Sequence, residues 1–259
     1  MSVNIHPLAS VSPNAIIGEN VIIGPFSVIE NDVVIGDNTY IHPHAVLLDG
    51  SRIGNDCNIF SGAVIGAQPQ DLKFKGEKTY AIIGDRTVIR ECATINRGTE
   101  ATGRAQIGTD CLIMAYCHVA HDCTIGNHVV MSNVSQLAGH VTIGDWVILG
   151  GLAKIIQFCT VGDHAMIGAD CKIAKDILPY ALVGRYPGKI EGVNKIGLRR
   201  RGFSDDMVDN ISSFYSSVFF SGFNTTDGID AYTKNNEHII PEVQKCVDFI
   251  KSSKKGIVR

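Results

Sequence analysis

One residue in every six is fixed along roughly two thirds of this chain. In units of six counted from Asn4, the second residue is aliphatic from Ile5 to Ile65, again at Ile83, Ile89 and Ile95, and again from Ile107 to Ile173. Of these 26 units, 25 carry Ile, Val or Leu at that position and one carries Met131. Neither a helix nor an alternating strand has this period. Short flat strands separated by tight corners do, each strand sending one aliphatic side chain inward. Three such strands close a triangular coil of eighteen residues, so Ile17, Ile35 and Ile53 stack, each followed by Gly and a polar pair. Each coil adds one strand spacing of about 4.8 Å. Gly and Asn are expected to supply the positive φ of the corners, with small residues in the fifth and sixth positions. A column of stacked aliphatics leaves little room for rings, in keeping with aromatics at only 7%.

Two segments break the period, residues 70–81 and 100–105. Both read as loops thrown out from a corner. The longer one, with its charges and two aromatics, is the better candidate for ligand contacts; the short polar one reads as a surface insertion. The repeat stops at residues 175–179. Beyond it, Ser204 followed by Asp205 and Asp206 is a helix start, and Met207, Ile211, Phe214 and Val218 recur at helical spacing. Further helices are expected from near Thr226 and over Pro241–Ser253. The expected organisation is a repeat domain over 1–178 and a helical domain over 179–259. The flat faces of such a prism call for partners, and a cyclic trimer with clefts between subunits is expected.

The remaining composition excludes more than it selects. A formal net charge of −3 argues against a general nucleic-acid binder. No apolar run approaches the roughly 20 residues of a membrane span, and MSVNIHPLAS lacks the basic and apolar regions of a secretory signal. Eight Cys without a CxxC pair, six of them closing a hexad, read as buried reduced thiols of a cytoplasmic protein. The repeat region is acidic and the tail mildly basic, a weak pointer to anionic ligands near their junction.

Of nine His, five (His6, His42, His44, His128 and His164) sit in ordinary hexads and read as structural. HisValAlaHisAspCys at 118–123 differs: His118, His121 and Asp122 share one unit, and His140 follows one coil beyond. They should meet on one edge of the prism. Such a group could bind zinc through three imidazoles, or one neutral imidazole could act as general base on a sugar hydroxyl. The zinc reading makes the chain a hexapeptide-repeat lyase of carbonic anhydrase type, but those enzymes carry a His pair five residues apart, and here the spacing is three.

AlaHisAspCysThrIleGlyAsn (120–127), LeuAlaGlyHis (137–140), GlnAspLeuLys (70–73), IleArgGluCys and IleAsnArgGlyThr within 89–99, and ArgArgGlyPhe (200–203) fall in an order that resembles the UDP-N-acetylglucosamine O-acyltransferases, over nearly the whole chain. The resemblance implies an all-β left-handed parallel β-helix with a small C-terminal α-helical domain. It implies the first step of lipid A biosynthesis: a 3-hydroxyacyl chain passes from acyl carrier protein to the 3-hydroxyl of UDP-N-acetylglucosamine, or to the amine of a 3-amino analogue. The donor is a phosphopantetheine thioester and no further cofactor is implied. By the same resemblance His121 is the general base, the Gly139 N–H the oxyanion donor, and Asp122, His118 and His140 orient the imidazole or the sugar. Asp71 and Lys73 meet the sugar and nearby phosphate, Gln157 helps place the nucleotide sugar, and Asn194, Arg200 and Arg201 hold the UDP portion. Ala169 falls on the position that measures acyl length, and its small size implies a fairly long chain. Two residues depart from the family pattern: Ile156 stands where a His is usual and Ile196 where a Glu is common.

Overall fold

The computed structural model describes residues 3–236 and 238–259. Two-residue strands recur every six residues, Asn4–Ile5, Ser10–Val11, Ile16–Ile17 and onward. Each pairs in parallel with the strand one coil away; Asn4 faces Ile22 and Ile5 faces Ile23. The outcome is a left-handed parallel β-helix with three faces of 11, 9 and 8 strands. We call these the first, second and third sheets, after the strands Asn4–Ile5, Ser10–Val11 and Ile16–Ile17 that open them.

The repeat's aliphatic residue points inward, as expected. Ile23, Ile41, Ile59, Ile89, Ile113, Met131, Leu149 and Ile167 form one buried column, and each such burial contributes roughly 1.5–3 kcal/mol. The sixth residue also points in and is small: Val21, Ala45, Cys57, Cys111, Cys117 and Cys123 are buried. Seven of the eight thiols are buried and Cys92 is exposed. Burial pushes the Cys123 thiol up to about 12, so it packs as a small hydrophobe and donates to the Ala138 carbonyl at 3.2 Å.

The corners correct one expectation. Positive φ falls on the fifth residue of the hexad, and that residue is usually neither Gly nor small: Phe26, Tyr116, Val134, Trp146, Leu152 and Phe158 all adopt φ near +60°. Their side chains lie outside and stack along the prism, His128 on Trp146 at 3.9 Å and His140 on Phe158 at 4.7 Å. Several of the scarce rings are therefore corner residues, and the contacts between coils offset the cost of the left-handed backbone. Gly in the third position answers another need. A Cβ on Gly36 would lie 2.6 Å from Asn55 Oδ1 and from the Gly54 carbonyl carbon of the coil above.

The segment beyond residue 178 does not open with a helix. Strands Ala181–Gly184 and Lys189–Val193 come before any helix, the first parallel to Met166–Ile167 and the second antiparallel to the first. The first sheet thus ends in a hairpin that abandons the six-residue pattern, which is why it is invisible to that pattern. Helices begin later: α1 (Lys195–Arg200), α2 (Asp205–Tyr215, running on into a π-helical turn, Ser216–Phe220), α3 (Thr225–Asn235) and α4 (Pro241–Ser252). The Ser204 hydroxyl caps α2 by accepting from the Met207 N–H at 3.2 Å. Val208, Ile211, Phe214 and Val218 are buried, and Tyr215 donates to the Pro179 carbonyl at 2.6 Å, locking helices to prism. No described helix is long and apolar enough to cross a membrane.

Candidate active site

Both interruptions leave from the same edge. The chain passes from the second sheet at Val64–Ala67 to the third at Tyr80–Ile83, and again from Thr94–Asn96 to Arg104–Ile107. At the next coil the same edge is turned by residues 120–123, between His118–Val119 and Thr124–Ile125. The register places His118 beside Thr94 on one side and Gln136 on the other. Loops and histidines therefore meet because the insertions fall one and two coils before the His-Asp corner.

The centre of this edge is a dyad. His121 Nδ1 lies 2.7 Å from Asp122 Oδ2. A carboxylate only accepts, so Nδ1 carries the proton and Nε2 keeps a free lone pair. Asp122 is buried, with its side chain fully enclosed. Burial pushes its carboxyl up, but hydrogen bonds from Thr102, His121 and Thr99 outweigh burial and hold it below the ordinary carboxylate value. Here the structure corrects the reading of the short loop as a mere surface insertion. Thr99 donates its N–H to Asp122 Oδ1 at 2.9 Å and its hydroxyl to Oδ2 at 2.8 Å, and Thr102 donates to Oδ1. Neither threonine announces itself in the sequence, because each meets Asp122 only through the register of neighbouring coils.

His140 sits edge-on to His121, ring centres 5.2 Å apart, with its Nε2 3.6 Å from Asp122 Oδ2. His118 turns to Thr94, whose Oγ1 is 2.7 Å from its Nδ1; burial, helped by the nearby His121, lowers its pKa. Among the described residues the group close enough to share a cation is His121, Asp122 and His140. His118 is outside it, so the three-imidazole set of the zinc lyase reading is not assembled.

Gly139 closes the site from above. A Cβ there would lie 2.6 Å from His121 Cε1 and 2.7 Å from Nε2, so only Gly fits over the imidazole. Its N–H has no protein acceptor among the described residues. The same position on the edge between third and first sheets is closed by a ladder: Asn127 N–H donates to Asp145 Oδ1 at 2.7 Å, and Asp145 N–H to Asp163 Oδ1 at 2.9 Å. The residue one coil above Gly139 is Gln157, which does not close that bond. A free N–H thus faces a cavity of about 570 Å³ lined by Asp71, Lys73, His118, His121, Gly139 and Gln157. His140 joins Asp71 and Lys73 around an adjoining cavity of about 370 Å³. The long loop is held by Arg97, whose guanidinium lies 5.3 Å from the Phe74 ring centre and donates to the Asp49 carbonyl at 3.0 Å.

The other predicted site residues lie on different edges. Arg201 sits over Trp146, 5.4 Å from the ring centre, with Nη1 3.3 Å from His164 Nδ1, on the edge between third and first sheets. Arg200 is exposed beside it. Asn194 is buried; its Oδ1 accepts from the Gly197 N–H at 3.2 Å and its Nδ2 donates to the His164 carbonyl at 2.9 Å. It caps α1 and keeps a second amide N–H and a further lone pair beyond these two bonds. Ala169 is exposed at a corner between first and second sheets. Of the departures, Ile156 lies exposed next to Gln157, and Ile196 is exposed in α1.

Comparison with known proteins gives this edge its context. The second domain of UDP-N-acetylglucosamine O-acyltransferase matches residues 176–258, and the bacterial transferase hexapeptide repeat matches 2–31, 32–67 and 104–133. The chain is 53% identical to the acyl-[acyl-carrier-protein]–UDP-N-acetylglucosamine O-acyltransferase of Chlorobaculum tepidum, over 96% of this chain and 94% of that one. It is 52% identical to that of Trichlorobacter lovleyi, over 99% of each. The crystal structure of LpxA, a UDP-N-acetylglucosamine acyltransferase from Bacteroides fragilis, superposes with a TM-score of 0.96 at 49% identity, covering 98% of this chain and 100% of that one. By fold, by near-complete coverage and by identity, the chain belongs to the acyl-[acyl-carrier-protein]–UDP-N-acetylglucosamine O-acyltransferases.

Proposed function

We propose that this protein transfers a 3-hydroxyacyl chain from acyl carrier protein to the 3-hydroxyl of UDP-N-acetylglucosamine, the opening step of lipid A biosynthesis, with His121 as general base. One observation carries the role of His121: its Nδ1 is bound to a buried carboxylate at 2.7 Å, while its Nε2 side faces Gly139 and the cavity. An alcohol is a poor nucleophile at neutral pH, so its proton must leave as the new C–O bond forms. Nε2 takes that proton, and Asp122 stabilises the resulting imidazolium. The thioester carbonyl oxygen gains negative charge in the same step, and the unclaimed Gly139 N–H is placed to receive it. Collapse of the tetrahedral intermediate expels the carrier thiolate, which the imidazolium reprotonates. The donor is already activated as a thioester, so the reaction calls for no added cofactor.

The sugar lies against Asp71, Lys73, His118, His140 and Gln157. Arg200 and Arg201, on the helix that Asn194 caps, suit the diphosphate of UDP, because guanidinium forks match phosphate oxygens. These arginines and Ala169 occupy edges other than that of His121. One prism therefore cannot assemble base, nucleotide site and acyl groove by itself, which supports a homotrimer in which neighbouring copies complete each cleft. The ruler role of Ala169 belongs to that cleft. A soluble nucleotide sugar and carrier protein as substrates fit a cytoplasmic enzyme.

His121→Ala should lower kcat by roughly 10²–10⁴-fold in an assay with 3-hydroxyacyl carrier protein and UDP-N-acetylglucosamine, with the melting temperature nearly unchanged. A variant within about tenfold of the parent would move the base to His118 or His140.

A further inference from the structure

We propose that Thr99 and Thr102, on the short loop between Thr94–Asn96 and Arg104–Ile107, are positioning residues that clamp Asp122 so that its one remaining acceptor site is aimed at His121. The proposal rests on the reading of His121 as base. A carboxylate offers about four lone-pair sites. In this site all four are filled: Oδ1 by the Thr99 N–H and the Thr102 hydroxyl, Oδ2 by the Thr99 hydroxyl and His121 Nδ1. Three of the four donors come from the loop and one from the imidazole.

This count has two consequences. Asp122 cannot rotate about its terminal torsion without breaking three bonds to the loop, so the imidazole inherits a fixed axis. Nor can His140 replace His121, because its Nε2 stands 3.6 Å from an oxygen whose acceptor capacity is already used. Thr102 has one hydroxyl proton and two acceptors in reach, Asp122 Oδ1 and the Arg104 carbonyl at 2.8 Å. The charged acceptor is the stronger one, so the proton goes to Asp122. The loop is itself tied to the long insertion, the Glu100 N–H donating to Glu77 Oε1 at 3.3 Å. The clamp thus connects the segment carrying Asp71 and Lys73 to the dyad.

The test is a double-mutant cycle at saturating substrates. Thr102→Val keeps the shape and removes the donor; it should lower kcat about tenfold, within the range that orienting partners of a functional group carry, while KM for UDP-N-acetylglucosamine stays within about twofold. Thr102→Ser restores the hydroxyl and should recover most of the rate. Thr99→Val removes one of that residue's two bonds and should cost less than Thr102→Val. On an Asp122→Asn background, Thr102→Val should change kcat by under about twofold, because the two residues act as one unit. Melting curves identify any misfolded variant, and Thr102→Ala is read if the valine overpacks. Full activity of Thr102→Val, failure of Ser to rescue, or full additivity with Asp122→Asn would overturn the clamp. His121→Ala is assayed alongside: its retention of full rate overturns the base reading, whereas an inactive His121→Ala beside a fully active Thr102→Val overturns the clamp alone.

Discussion

Two edges of the same prism are built from one repeat and do opposite things. Between the third and first sheets, Gly and Asx recur at most coils: Asp37, Asn55, Asp85, Asn127, Asp145 and Asp163 each accept the N–H of the corner below. The N–H groups of Glu19, Asp37, Asn55, Thr109, Asn127 and Asp145 are thereby spent inside the fold. Between the second and third sheets such a bond is made early, from the Asp32 N–H to Asp49 Oδ1 at 2.7 Å, but above it two insertions project and the corner positions hold His121, Gly139 and Gln157. Where backbone donors are satisfied internally, the edge only stabilises; where one is left over beside a titratable side chain, the edge can do chemistry. The difference lies in which side chain sits one coil above, and it costs no change of backbone.

Exchanging the two kinds of Gly tests this contrast most strongly. Gly139→Ala puts a Cβ into the His121 ring, displacing the proposed base and oxyanion donor together, and should lower kcat by about 10²–10³-fold, the size of a lost oxyanion donor. Gly126→Ala, on the ladder edge, puts its Cβ 2.3 Å from Asp145 Oδ1. It should cost roughly 1–3 kcal/mol of stability, as overpacking does, and leave kcat of the folded protein unchanged. Equal losses of rate in both variants would show that the two edges do not differ in the way described.

A smaller effect should come from the third edge, where Ala169 is exposed at a corner. If a neighbouring copy turns this corner into the end of the acyl groove, Ala169→Met adds volume where the chain tip lies. Long 3-hydroxyacyl donors should lose about tenfold in kcat/KM, the equivalent of roughly 1.4 kcal/mol of overpacking, while donors a few carbons shorter are spared. The ratio for two chain lengths in competition measures it, and an unchanged ratio would place the end of the groove elsewhere.

How much of this was legible in the sequence differs by the range of the interaction. The stacked aliphatics, the loops and the meeting of His121, Asp122 and His140 follow from a strict period, because the period converts sequence distance into height along an edge. Three features escaped it. The hairpin of Ala181–Gly184 and Lys189–Val193 lies past the last hexad. The left-handed corners hold Trp146 or Phe158, where propensity favours Gly or Asn, because stacking between coils overrides local preference. The threonines of the clamp belong to an interruption, and an interruption destroys the register by which partners could be located. The capping of α1 by Asn194 escaped it too, because a polar residue beside arginines reads as a ligand contact until the helix it caps is seen.

The smallest expected effect separates the edges by pH. On the ladder edge, burial and the adjacent Arg201 lower the pKa of His164 to about 4. Arg201 Nη1 donates toward its Nδ1, an arrangement open only to neutral imidazole. The unfolded value is about 6.5, so the folded form binds the proton less well. The stability this group contributes is complete above about 6.5 and is lost as pH falls from there through about 4. Asp122 shows the same sign in a lower window. Its hydrogen bonds hold the folded pKa below the ordinary value, so its contribution is complete above the unfolded value of about 3.9 and is lost only as pH falls further, through the folded value. Melting temperature followed from pH 7 downward should fall first in the upper window and again in the lower one. His164→Gln should flatten the first fall by a few degrees and leave the second; Asp122→Asn should do the reverse. A first fall that persists in His164→Gln would assign it to another group, and the neutral imidazole under Arg201 would then contribute nothing to the acid response of this edge.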